Sequence, residues 1–91
     1  MNTPPDTKTI EPQIRQFIAS NILYSTEGFT YTDETSLLRE GIIDSLGVVE
    51  LVEFVQTRFG VKVDQQEVIP DNFDSVARLA AYVRKKLAGG G

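Results

Sequence analysis

A chain of 91 residues with 41% hydrophobic content makes one domain with a single small core, held without metal or disulfide. It contains no cysteine and no histidine, which excludes disulfides, thiolate chemistry, imidazole general bases and the usual zinc sites. Its formal charge of −4 sets it against nucleic acid and anionic lipid as partners and makes basic protein surfaces the expected ones.

Residues 1–8 are polar with two prolines, and are expected to be a flexible N-terminus. They lack the apolar core of a secretory signal, and no run approaches membrane-spanning length, so a cytoplasmic protein without membrane insertion is expected. Ile10, Ile14, Phe17, Ile18 and Ile22 recur at helical spacing and predict a first amphipathic helix of about three turns. Pro12 falls in its first turn, where a missing N–H costs little. From Tyr24 to Ser36 no period is sustained, and Gly28 with many Thr and Ser residues predicts a long loop.

The second helix is predicted to start at Asp44-Ser45, with Asp44 as N-cap, and to end near Phe59-Gly60 with Gly60 just past its C-terminus. At about 100° per residue, Val48, Leu51, Val52, Val55 and Phe59 form its core stripe, with Val49 at the edge. Leu46, Glu50, Glu53 and Thr57 fall on the opposite, solvent-facing side. Val61-Lys62-Val63 reads as an extended link, and Asp64-Gln65-Gln66-Glu67 has capping-box spacing that predicts a brief third helix. Pro70 is expected to stop that helix or bend the chain. A last helix from Asp74-Ser75 places Val76, Leu79, Ala80, Val83 and Leu87 on one face, with Arg84, Lys85 and Lys86 opposing its dipole. The fold expected is all-α, a small four-helix bundle of three main helices and one short one with a long first loop. The domain is expected over residues 9–88, followed by a flexible glycine tail at 89–91.

Two Asp-Ser pairs stand at predicted helix starts, and both residue types are ordinary caps. Asp74-Ser75 is read as structural. Ser45 differs in context: Gly41 loosens the approach, Leu46 points outward, and the acidic stripe begins one turn later. A hydroxyl at that position is exposed and close to the positive end of a helix dipole, where backbone N–H groups stabilise an attached phosphate. Gly47 costs the helix about 1 kcal/mol relative to Ala, and a bulkier side chain there would be expected to obstruct a partner or an attached group.

The stretch Gly41-Ile42-Ile43-Asp44-Ser45-Leu46-Gly47, within a resemblance running from about Ile10 to Leu87, is similar to the acyl carrier protein superfamily. The resemblance implies that Ser45 bears a covalent 4′-phosphopantetheine arm, delivered from coenzyme A by a Mg²⁺-dependent phosphopantetheinyl transferase. The arm's thiol then carries an acyl or aminoacyl group as a thioester, loaded by a ligase or synthase. It also implies that Asp44 helps the transferase place Mg²⁺, in addition to capping. Its motif, with Gly41 before it and Gly47 after it, looks closer to aminoacyl, D-alanyl and peptidyl carriers than to fatty-acid carriers. Gln56, Thr57 and Arg58 stand where the fatty-acid type usually continues with acidic residues.

Leu46, Glu50 and Glu53 make a face suited to a basic, partly apolar partner, and with Asp44 they are the candidate recognition residues of an expected monomer. Catalysis by the chain itself is not expected. Ser45 beside Asp44 has no histidine to relay a proton and lies outside a Gly-x-Ser-x-Gly elbow. Asp33, Glu34 and Glu40 lack calcium-loop spacing, so no metal site is assigned. The competing reading is an unmodified helical module that binds a partner through the Leu46, Glu50 and Glu53 face.

Overall fold

The computed structural model describes residues 9–89, and the expectations for 1–8 and for Gly90 and Gly91 lie outside the described residues. Helix α1 (Ile10–Phe17) buries Ile10 and Ile14 and passes directly into a π-helical turn, Ile18–Ile22. In that turn the Leu23 N–H donates to the Ile18 carbonyl at 2.9 Å. The extra residue per turn rotates the register, so that Ile18 and its neighbour Ala19 are both buried. The predicted first helix is therefore helical throughout its range but changes type at Ile18.

The long connection to the next helix is tied down at several points. Arg15 pairs with both carboxylate oxygens of Asp33 at 2.7 and 2.8 Å, and the Asp33 carbonyl accepts the Ala77 N–H at 2.9 Å. Asp74 then fixes the segment before the serine motif. Its carbonyl accepts the Leu37 N–H at 2.7 Å, and its carboxylate accepts the Ser36 hydroxyl at 2.6 Å and the Leu38 N–H at 2.9 Å. Leu37 is fully buried, and its carbonyl in turn accepts the N–H groups of Ile42 and Ile43.

Helix α2 (Ser45–Phe59) has the predicted limits, with Asp44 capping its start and Gly60 in the left-handed conformation, φ +70°, at its end. Leu51, Val55 and Phe59 are buried and Val48 and Val52 half-buried, as the stripe predicts. Val49, expected at the edge of the core, is instead 57% exposed.

The short third helix is corrected in detail. Gln65–Glu67 forms a 3₁₀ turn, in which the Glu67 carboxylate reaches back to the Asp64 N–H at 3.1 Å. The turn ends before Pro70 and the chain bends at Ile69, and Pro70 also opens a separate one-turn helix, α3 (Pro70–Phe73), at the position where no N–H is needed. Helix α4 (Val76–Gly89) buries Val76, Leu79, Ala80, Tyr82 and Val83 and continues to Gly89, the first residue of the expected glycine tail.

Helix α4 packs against α1, α2 and α3, and the core is one cluster drawn from all of them and from Leu37, Ile42 and Ile43 of the long connection. Two polar ties bind its surface. Arg84 grips both oxygens of Glu11 at 2.6 and 2.7 Å, joining α4 to α1 and holding the Glu11 carboxyl below its usual pKa. Glu67 accepts the Tyr82 hydroxyl at 2.7 Å and Lys86 Nζ at 3.1 Å, joining the 3₁₀ turn to α4. The fold is a small all-α bundle, and no strand occurs among the described residues.

Candidate functional site

The approach to α2 is built by backbone geometry. Gly41 adopts φ +71°, where an added Cβ would meet nothing within 4 Å, so conformation alone favours glycine there. Ile42 and Ile43 then bury their side chains in the core. Asp44 is extended at φ −119° and ψ −167°, and its Oδ1 accepts the Gly47 N–H at 3.0 Å. The next residue, Ser45, is the first of the helix and is exposed.

The two Asp-Ser pairs separate in structure as they do in context. Ser75 is 4% exposed, and its Oγ accepts the Arg78 N–H at 3.0 Å, which is a helix cap and nothing more. Asp74 spends its carboxylate on the Ser36–Leu38 segment. At Ser45 the division is reversed: Asp44 provides the cap, leaving the Ser45 hydroxyl directed to none of the described groups. Only the Asp44 carbonyl and carboxylate are used at this end, by Val48 and Gly47, so the Ser45 and Leu46 N–H groups remain open to a ligand at the positive end of the helix.

The reason for Gly47 is internal and corrects the expectation that it keeps a path clear for partners. It is buried, and a Cβ built on it would lie 2.9 Å from the Cβ of Ile43. The glycine lets α2 start directly on the buried Ile43, which sets where Ser45 emerges.

Leu46 is 69% exposed beside Ser45, and Glu50, Glu53 and Thr57 follow it on the exposed side of α2. Neither Glu50 nor Glu53 has a hydrogen bond or ion pair among the described residues. Asp44, Ser45, Leu46, Glu50 and Glu53 thus share one surface. Val49 adds to its apolar part.

Phe54 was missing from the sequence reading of this face. It stacks on Phe17 of α1 with ring centroids 4.3 Å apart and lies edge-on to Phe59 at 5.8 Å. The signal was available, because Phe54 follows Glu50 by four positions and precedes Thr57 by three. The Asp74 clamp gave no such signal, since its partners are 36 and 38 residues away in the chain. No group of acidic residues among those described is arranged to hold a metal ion, and no helix among them is long and apolar enough to cross a membrane.

Comparison with known proteins places these features in a family. The family model described as "Phosphopantetheine attachment site" matches residues 12–83. The chain is 36% identical over 55 residues to a D-alanyl carrier protein of Abiotrophia defectiva, covering 60% of this chain and 70% of the relative. It is also 36% identical over 56 residues to an acyl carrier protein of Thermotoga maritima, covering 62% and 67%. A probable acyl carrier protein of a Serratia species, PigG, is 33% identical over 52 residues, covering 57% and 60%.

Proposed function

Since the chain belongs to the phosphopantetheine-attachment family of carrier proteins, we propose that Ser45 is the hydroxyl that bears the arm. The protein carries an acyl or aminoacyl group on a covalent 4′-phosphopantetheine and presents it to enzymes. The arm supplies a terminal thiol for thioester formation. The protein supplies the tether, its placement and the surface that partners meet.

The observation that carries the assignment to Ser45 is the contrast between the two helix-start serines. Ser75 is buried and engaged as a cap, while Ser45 is exposed with its hydroxyl uncommitted, because Asp44 has taken over the capping bond. A phosphodiester on Ser45 would lie against the Ser45 and Leu46 N–H groups, an interaction with the helix end of about 0.3–1 kcal/mol at an exposed site. Asp44 opposes that charge directly but keeps the cap formed whether or not the serine is modified. Its Oδ1 is taken by the cap, so its second oxygen would be the one left to help a transferase hold Mg²⁺.

Leu46 gives a partner an apolar anchor next to the arm, and Glu50 and Glu53 give it carboxylates one and two turns on. The partners are a phosphopantetheinyl transferase and the ligases or synthases that load and unload the arm. Their docking surfaces should carry basic residues around an apolar contact.

The test is incubation of the purified protein with coenzyme A, Mg²⁺ and a broad-specificity phosphopantetheinyl transferase, read by intact mass. One added phosphopantetheine is expected for the wild type and for Ser75→Ala, and none for Ser45→Ala. Addition that persists in Ser45→Ala would sink the assignment.

A further inference from the structure

The stretch from Ser36 to Ile43, which leads into Ser45, is tied to itself by its backbone. The Ser36 carbonyl accepts the Glu40 N–H and the Leu38 carbonyl the Gly41 N–H, each at 3.1 Å, and the Leu37 carbonyl accepts the N–H groups of both Ile42 and Ile43. The Ser36 hydroxyl adds a bond from the Arg39 N–H at 3.1 Å. A turn closed in this way moves as one piece, so whatever fixes its first residues also fixes Ile43 and the Asp44-Ser45 corner that follows.

Among the described residues, every hydrogen bond between this turn and the rest of the fold ends on Asp74. The Leu37 N–H donates to its carbonyl at 2.7 Å, and the Ser36 hydroxyl and the Leu38 N–H donate to its carboxylate at 2.6 and 2.9 Å. The remaining hold is apolar, through the buried Leu37, Ile42 and Ile43. Apolar burial resists separation but is not directional, whereas hydrogen bonds set an orientation.

Asp74 is itself a firm post. Its N–H is bonded to the Pro70 carbonyl at 2.9 Å, and it stands between the buried Phe73 and the buried Ser75 and Val76. An aspartate at a helix start ordinarily turns its carboxylate to the first N–H groups of that helix. Here Ser75 caps α4, and both carboxylate oxygens of Asp74 are turned to groups 38 and 36 positions earlier in the chain.

We propose that Asp74 is a positioning residue for attachment of the arm: by holding Ser36–Leu38 it sets where Ser45 Oγ stands when a transferase docks. It acts through the Leu37 carbonyl, Ile43 and the Asp44 cap. The transfer joins Ser45 Oγ to the pantetheine-bearing phosphorus of coenzyme A, breaks the bond from that phosphorus to the bridging oxygen, and releases 3′,5′-adenosine bisphosphate and the serine proton. A displacement of this kind depends steeply on the placement of its nucleophile, and an error of about 1 Å can cost about a hundredfold in rate. The inference rests on Ser45 as the attachment point and adds to it a residue from the other end of the domain.

The test is the single-turnover rate of arm transfer, read by intact mass with transferase in excess and saturating coenzyme A and Mg²⁺, at a temperature where thermal unfolding shows each variant to be folded. Asp74→Ala keeps the main-chain bond to Leu37 and loses both carboxylate bonds. Its maximal rate should fall about tenfold, with the half-saturating transferase concentration within about twofold of wild type, because the Leu46, Glu50 and Glu53 surface is untouched. Asp74→Asn should recover most of the rate, since an amide oxygen can accept the Leu38 N–H and its NH₂ can donate to Ser36 Oγ. Ser75→Ala removes the neighbouring cap of α4 but none of the loop bonds, so it should lower stability and leave the rate alone. The amide signals of Ile43, Asp44 and Ser45 should move in Asp74→Ala and stay in place in Ser75→Ala. Ser36→Ala cuts the same tie from the loop side, should slow transfer in the same direction, and decides the matter alone if Asp74→Ala does not fold. Wild-type rates in Asp74→Ala and Ser36→Ala would overturn the role. Equal losses in Asp74→Ala and Ser75→Ala would reduce it to stability, and equal losses in Asp74→Ala and Asp74→Asn would replace geometry by charge; either result overturns the proposal. Absence of any arm on wild-type Ser45 overturns the attachment point instead, and the mass reports it before any rates are compared.

Discussion

At position 47 even a methyl group would sit 2.9 Å from Cβ of Ile43, and that contact is with a branch point rather than the free end of a side chain. Ile43 cannot retreat, because it is buried and its N–H is bonded to the Leu37 carbonyl at 3.1 Å. Two opposing effects follow for Gly47→Ala. Helix propensity favours alanine by about 1 kcal/mol, while overpacking a well-filled contact costs about 1–3 kcal/mol. The contact should win, giving a net loss of about 1 kcal/mol in urea unfolding, and Ile43→Ala in the same protein should relieve little of the clash, because it removes the Cγ2 contact at 3.4 Å but leaves the Cβ contact at 2.9 Å. A stability gain in Gly47→Ala would show that α2 can slide off Ile43. This role was not legible in the sequence. The motif identifies a glycine next to an apolar residue, but what it packs against depends on Asp74 holding the loop from the far end of the chain.

Elements whose limits are set locally were readable, and those set by distant contacts were not. Asp44 and Gly60 delimit α2 because a carboxylate cap and a left-handed glycine act within one turn of themselves. The change from α to π at Ile18 and the division between the 3₁₀ turn and α3 answer to the core and to α4. Glu67 is the main polar tie in the second case. The Tyr82 hydroxyl, followed by the Asp64 N–H and Lys86, lowers its carboxyl pKa from 4.5 to about 2. Because the folded value lies below the unfolded one, this tie stabilises fully above about pH 4.5 and is lost as pH falls towards about 2. Glu67→Gln should therefore be less stable than wild type at neutral pH, and the gap should close on acidification across that window. Chemical unfolding at a series of pH values measures it; two curves that stay parallel from neutral pH to pH 2 would show that Glu67 does not couple the turn to α4.

For the whole molecule, the question is whether partners are drawn by total charge or by the placement of charge. The composition points to basic partners, and helix geometry places Leu46, Glu50 and Glu53 on one exposed face; both expectations need only the sequence. What the sequence could not separate is a net charge of −4 from a local stripe, because both predict faster association with a basic enzyme. The structure provides the means to separate them. Glu50 and Glu53 lie on the surface with Ser45, whereas Glu27 and Glu34 are exposed on the long connection. Reversing either pair to lysine moves the formal charge from −4 by +4 to 0, and neither pair makes a hydrogen bond or ion pair through its side chains among the described residues. If the stripe steers docking, E50K/E53K should slow transfer of the arm to Ser45 about tenfold or more at low ionic strength, and E27K/E34K should slow it much less. The difference should shrink as salt shortens the screening length from about 30 Å at 0.01 M to about 10 Å at 0.1 M. Equal slowing by both pairs would assign the attraction to net charge, and the same rate for E50K/E53K as for wild type at low salt would remove α2's acidic face from the docking surface.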